Sequence, residues 1–279
     1  FVVYYVDKNR NIIAYNREES LYYYFNPDGT KKIEKSFLKA SPFSEGFAEV
    51  GDNTGVYFIN EKGEDVFKKR FDTVGYFHEG FSYVIEKYDY RDTKAKKKYA
   101  LIDTEGEYLK LDDEYDKIGS FFEGFAIAEK GDEKLYIGKD GKVAIRGGFI
   151  EARNFNNGVA SVKIKERAKT KEDNEEKVMY YIRKNGERFP LGGLKEAYHF
   201  REGVAGVVTR DGKHRIMKED GTYLNYEEYG WVWGCDEGLI RVKGKGGDYF
   251  IDSETGESAF GSKRWIKVEG FFEGVAEVK

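Results

Sequence analysis

Apolar positions along this chain fall into short runs, each closed by a polar turn. Gly46–Val50 is followed by the turn Gly51-Asp52-Asn53-Thr54-Gly55, then by Val56–Ile59, the turn Asn60–Gly63, Asp65–Lys68 and Phe71–Val74. Runs of this length, with turn residues at short regular intervals, predict short antiparallel strands and an all-β fold. No stretch sustains a 3.6-residue period with capping residues, so almost no helix is expected. Phe47 and Ala48 point to opposite faces of a strand, yet both are apolar. Successive strand side chains alternate, so neighbouring units are expected to cover both faces and build a continuous core.

The runs repeat. One motif reads Phe-x-Glu-Gly-apolar-Ala-x-Val, as in Phe43–Val50, Phe77–Val84, Phe200–Val207 and Phe271–Val278; Phe121–Ala126 is shortened, Phe155–Val162 carries Asn157 in place of Glu, and Cys235–Val242 is worn. Its glycines are Gly46, Gly80, Gly124, Gly158, Gly203, Gly238 and Gly274. A second motif, an aromatic or apolar run followed by a polar turn and Gly, places glycines at Gly29, Gly63, Gly106, Gly141, Gly186, Gly221 and Gly256. Each of these lies 17 or 18 residues before a glycine of the first motif. The period is roughly 35 residues, the size of one supersecondary unit in a repeat protein. The opposite spacing grows to 26 residues between Gly80 and Gly106, and to 28 between Gly158 and Gly186. Two charged insertions, around Lys87–Lys98 and Lys163–Lys177, account for this and are expected to be loops.

These motifs resemble the WG (KWG) repeat family of bacterial β-repeat proteins. A unit there runs Lys-Trp-Gly-Tyr-Ile-Asp-x-x-Gly, then an apolar strand, Tyr/Phe-Asp-x-apolar and Phe-x-Glu-Gly-Leu-Ala-x-Val. The last part is well matched here, as are Phe71-Asp72-Thr73-Val74 and Tyr115-Asp116-Lys117-Ile118, while Lys98–Asp103 is the nearest match to the first part. The Trp-Gly pair itself is missing from the expected places, and Trp233-Gly234 is out of phase. The resemblance covers roughly residues 20–279 and implies a divergent bacterial β-repeat scaffold; it adds little about chemistry. We therefore expect an N-terminal hairpin extension over residues 1–20 and a single repeat domain over 21–279. Seven units invite a closed propeller-like ring, in which Gly274–Val278 would join Leu21–Asn26. An open β-solenoid array is the alternative.

Composition narrows the function. Aromatic residues make up 16% of the chain, which excludes intrinsic disorder. Lys+Arg number 47 against 51 Asp+Glu, a balance that argues against a nucleic-acid partner. A single cysteine, Cys235, excludes a disulfide framework and a cysteine-rich zinc site. No apolar run is long enough to span a membrane, and no signal peptide is visible. The missing initiator Met points to a mature form, a trimmed chain or a fragment. An extracytoplasmic location is favoured over the cytoplasm.

Candidate chemistry is sparse, and no cofactor is expected. The recurring Glu45, Glu79, Glu123, Glu202, Glu237 and Glu273 supply one acid per repeat, whereas an active site needs a unique constellation. Each is expected to accept backbone N–H groups of its own turn. His78, His199 and His214 occupy different repeat positions and do not suggest a metal site. Asp7–Asn11 with Glu18 matches a calcium loop except that Ile12 stands where Gly is required, so a hairpin turn is expected. The cluster Tyr226, Tyr229, Trp231 and Trp233 is the main binding candidate, either a sugar- or protein-binding platform or packing between repeats. Lys94, Lys96, Lys97 and Lys98 form a basic insertion that would suit an acidic partner or a solvated hairpin tip. Asp112, Asp113, Glu114 and Asp116 make the one dense acidic cluster. The expected function is a non-enzymatic scaffold binding protein or cell-envelope glycan. A carboxylate-dependent glycoside hydrolase is the alternative.

Overall fold

The structure is a computed structural model that describes residues 1–7, 10–86, 91, 97–167, 175–271 and 273–279. The chain divides into two units: Phe1–Gly131 with Tyr136–Ala144, and Asp132–Leu135 with Ile145–Lys279.

The first unit holds three antiparallel sheets of three strands each: Val2–Val6, Ile12–Asn16 and Leu21–Phe25; Lys39–Ala40, Phe47–Asp52 and Gly55–Asn60; Thr73–Val74, Phe81–Ile85 and Tyr99–Asp103. Lys117–Phe122 and Phe125–Lys130 open the next repeat as a hairpin. In the second unit Val159–Arg167, Glu175–Arg183, Arg188–Ala197, Val204–Thr209 and His214–Lys218 pair each with the next. Trp231–Asp236, Leu239–Gly244 and Gly247–Asp252 form a three-stranded sheet. The all-β reading holds, and the described residues contain no helix.

Several details differ from the expectation. Asp65–Lys68 is not a strand: it makes one isolated bridge, Ile59 to Asp65, so a repeat has three strands rather than four. The second insertion is not a loop throughout. It lengthens the hairpin between the middle and third strands, with pairing continued from Val159–Arg183 out to Arg167–Glu175. None of the sheets closes into a ring, and Val278, in the segment expected to complete the first repeat, bridges Val268.

The core follows from strand alternation. Ile59 points one way, into a cluster with Ile13, Tyr24, Ile33, Phe37, Ala48 and Val50. Its neighbour Phe58 points the other way, into a cluster with Phe71, Val74, Phe77, Val84 and Ile102 of the following repeat. Ile216 and Met217 split in the same manner in the second unit, Ile216 packing with Val232 and Ile240, Met217 with Tyr181 and Phe200. The strands Gly55–Asn60 and His214–Lys218 are thus covered on both faces, each face by a different cluster. Burying a side chain such as Phe58 stabilises by about 3 kcal/mol, and only a neighbouring repeat supplies the cover.

The two phased glycines have different reasons. Gly80 has φ +86° and follows Glu79 at +54°, a pair of left-handed residues that closes a two-residue hairpin between His78 and Phe81. A Cβ on Gly80 would meet nothing within 4 Å. Gly141 also has positive φ, but its Cβ would lie 2.0 Å from the carbonyl oxygen of Lys110. Gly80→Ala is therefore expected to lose only the conformational term, about 1–2 kcal/mol. Gly141→Ala must in addition displace backbone of the adjoining repeat. Denaturant titration of the two variants should show a clearly larger drop in midpoint for Gly141→Ala.

Candidate functional site

The signature turn presents a physical puzzle. The residue before each first-motif glycine has φ near +50°, including Glu45, Glu79, Glu202, Glu237 and Glu273. Asn or Gly suits that left-handed position, and a longer side chain there is disfavoured. The side-chain partners explain the glutamates. Glu45 reaches the next copy of the turn, where its carboxylate accepts the backbone N–H groups of Glu79 (2.7 Å) and Gly80 (2.8 Å). Glu79 does the same to Glu123 and to Gly124 (2.8 Å). Glu202 accepts from Glu237 (3.1 Å) and Gly238 (2.7 Å), and Glu237 from Gly274 (2.8 Å). The carboxylates do bind turn amides, but those of the following repeat rather than their own. Two consecutive left-handed residues aim both N–H groups into one concavity, a backbone nest suited to an anion.

The charge states agree. The N–H of Gly238 leads in holding the Glu202 carboxyl below the usual carboxylate range. Burial pushes Glu79 up, but the N–H of Gly124 and the Lys139 ammonium, 3.1 Å away, outweigh it and leave the group lowered. Residues beside the glutamates extend the ladder. Ser44 Oγ donates to the carbonyl of Phe77 (2.7 Å), His78 stacks on Phe122 at 4.4 Å, and Arg201 pairs with Asp236 at 2.6 Å. Cys235, at the motif's aromatic position, is buried with Sγ 3.4 Å from Glu202, and burial pushes its thiol up to about 12. The motif glycines Gly46, Gly80, Gly124, Gly158, Gly203, Gly238 and Gly274 all lie between +75° and +90° in φ.

The aromatic candidates separate. Tyr229 is buried, its hydroxyl donating to Asn225 Oδ1 at 2.9 Å, and belongs to the core. Tyr226 is 86% exposed and stands apart. Trp231 and Trp233 do share a surface: both line a groove of about 290 Å³ with Tyr198, His199 and Arg201. Trp231 is 38% exposed, packed at 5.9 Å from Tyr198 and 5.1 Å from His214. Trp233 lies beneath the guanidinium of Arg241, 4.0 Å from its ring centre. Gly206 forms the floor, where a Cβ would approach Val232 to 3.1 Å. Tyr198 and Arg201 were not singled out in the sequence, and His199 was weighed there only as a metal ligand, although all three flank the repeat residue Phe200. Burial, then Arg153 with Nη1 3.0 Å from the ring, lowers the His199 pKa and keeps the imidazole neutral at neutral pH.

The charged candidates meet in the first unit. Lys97 and Lys98 are exposed and line a cleft of about 1000 Å³ together with Asp113, Glu114 and Asp116. Lys94 and Lys96 lie outside the described residues. The acids are engaged locally: Asp113 pairs with Lys130, and Asp116 accepts the N–H of Gly131 at 2.8 Å. Asp112 is lowered by the N–H of Val143 and the hydroxyl of Tyr115. A carboxylate missed in the sequence is Glu49, 7% exposed and bonded to Lys39 Nζ at 2.6 Å. Burial raises its pKa, with Lys39 pulling the other way. Among the described residues no three His, Cys, Asp or Glu side chains group around a possible metal position. Asp7 instead accepts the backbone N–H and side-chain amide of Asn11, both at 2.8 Å, as a hairpin turn does.

Part of the chain matches a known repeat. The profile of the WG containing repeat matches residues 58–89, 99–133 and 136–167. Each matched segment runs from a third strand through the next signature turn, so the stretch from residue 58 to residue 167 carries three WG repeats. No curated protein matches. Among solved structures, Citrobacter koseri AztD aligns at 12% identity over 92% of this chain and 85% of that one, with a TM-score of 0.37. An uncharacterized Listeria monocytogenes EGD-e protein, lmo1340, aligns at 12% identity over 92% of both chains, with a TM-score of 0.41. The WD40 β-propeller domain of Doa1 aligns at 12% identity over 85% of this chain and 86% of that one, with a TM-score of 0.32. No functional inference is drawn from likeness at this level. No helix among the described residues is long and apolar enough to cross a membrane.

The ladder has a pH signature. A carboxyl whose pKa is lowered on folding contributes stability above its unfolded pKa and loses it as pH falls through the folded value. Glu202→Gln keeps one acceptor but loses the charge and the second bond. We expect about 1 kcal/mol lower stability at neutral pH, the small end for a charge-assisted bond because the site is open to water. Thermal melts from pH 7 down to pH 3 should show a shallower acid decline in the variant than in the wild type.

Proposed function

We propose that this chain is a non-enzymatic binding module, built on a β-repeat scaffold, for a protein or cell-envelope glycan partner. The groove at Trp231 is the observation that carries the reading. It combines a partly exposed indole, a neutral imidazole, an arginine and a glycine floor between two repeat hairpins. Concave surfaces with aromatic walls and a few polar groups are the usual form of a ligand site. An indole face also stacks on the C–H face of a sugar or seats a side chain of a partner protein. Seven turns with one backbone signature support reading the chain as seven repeats, which present such grooves between equivalent elements.

The electrostatics favour binding over hydrolysis. A glycosidase acid needs a carboxyl kept protonated beside a second carboxylate. Glu79 and Glu202 are shifted the opposite way. Glu49 is shifted upward, but the charge acting on it is Lys39, not a second acid.

A glycan array combined with a pull-down from envelope extracts tests the reading. Trp231→Ala is expected to weaken the captured interaction about tenfold or more while leaving the thermal midpoint nearly unchanged. Turnover of a glycoside that disappears on replacing Glu49 or Asp113 would overturn it.

A further inference from the structure

The signature turns are internally comparable, and one of them lacks its partner. At Glu202–Gly203 the backbone matches the others, with φ +49° and +81° against +54° and +86° at Glu79–Gly80. The residue placed to fill it belongs to the preceding copy of the motif, where Asn157 stands instead of glutamate. Asn157 has φ +53°, so its own turn is formed normally. Its side chain is one methylene shorter than glutamate, and neutral. Among the described residues, no acceptor is bonded to the N–H of Glu202 or of Gly203. The two copies are nevertheless side by side here: Asn156 Nδ2 lies 3.5 Å from the carbonyl of Phe200, and Arg153 Nη1 3.0 Å from His199.

We propose that the Glu202–Gly203 turn is a binding site for a carboxylate supplied from outside the repeat ladder. The chemistry is read from the molecule itself. The same two-amide nest holds a carboxylate at Glu79–Gly80, at Glu123–Gly124 and at Glu237–Gly238. Removing the resident acid leaves two N–H donors whose geometry already fits a planar two-oxygen anion, so no rearrangement opposes binding. Arg153, bonded to His199, and Arg201, paired with Asp236, lie near the same turn. The site adjoins the Trp231 groove at Arg201, but neither Glu202 nor Gly203 lines that groove, and the two are read by different measurements.

The test is an amide NMR titration of the full chain with sodium acetate at neutral pH, set against sodium chloride and sodium phosphate at matched ionic strength. The expected result is a saturable acetate shift at the amides of Glu202 and Gly203, with none at the filled nests of Gly80 and Gly238. Asn157→Glu should abolish that shift and raise the thermal midpoint, because it restores the ladder. Asn157→Gly, which tolerates positive φ, should keep the acetate response. Acetate shifts no larger than those in chloride would overturn the proposal, as would an Asn157→Glu variant that responds like the wild type. Saturation by phosphate but not acetate would overturn the carboxylate assignment. Should Asn157→Glu fail to fold, the wild-type titration decides alone.

Discussion

One contact recurs through this molecule and gives the rest its register: a glutamate carboxylate lodged on the two backbone N–H groups of the next repeat's turn. A turn such as Glu79–Gly80 is both receiver and sender. Its left-handed backbone makes the nest, and its own glutamate leaves that turn for the following one. Holding glutamate at positive φ costs about 1–2 kcal/mol, a strain asparagine would largely avoid. The charge-assisted bonds to the next repeat offset it. This accounts for Glu-Gly as the signature where the hairpin alone would favour Asn-Gly.

Packing between repeats is set beside that ladder. Phe58 and Ile59, adjacent on one strand, belong to separate clusters, so this sheet is buried only with neighbours on both sides. Second-motif glycines such as Gly63, Gly106 and Gly141 sit where two repeats approach closely, Gly141 against Lys110. The insertions enter between middle and third strands, away from both the nest and the glycine contact. There the chain extends the Val159–Arg183 hairpin outward without disturbing either.

Grooves are the by-product of such stacking, and their character depends on which residues depart from the motif. Between the Phe200 and Cys235 copies, Gly206 lowers the floor while Tyr198 and Trp231 raise the walls. Between the Asn157 and Glu202 copies, the loss of one carboxylate leaves a polar vacancy instead. Function in a repeat protein is sought where the repeat is imperfect, and both places lie in the second unit.

Much of the architecture was legible in the chain: β content, the period, the two phased glycines and the both-sided burial all follow from local rules of alternation and turn chemistry. That Tyr229 is core while Tyr226 is solvent, or that Trp233 lies under Arg241 from the neighbouring strand, was not legible, because spacing within one segment does not say what packs against it. Nor did Glu49 stand out, since its burial comes from surrounding repeats. The direction of each glutamate is the clearest case. By itself the sequence determined that an acid recurs beside the tight turn in six of the seven copies. Only the tertiary structure decided that the acid serves the next turn, because the partner amides lie 34 to 45 residues away and meet it only when the sheets stack.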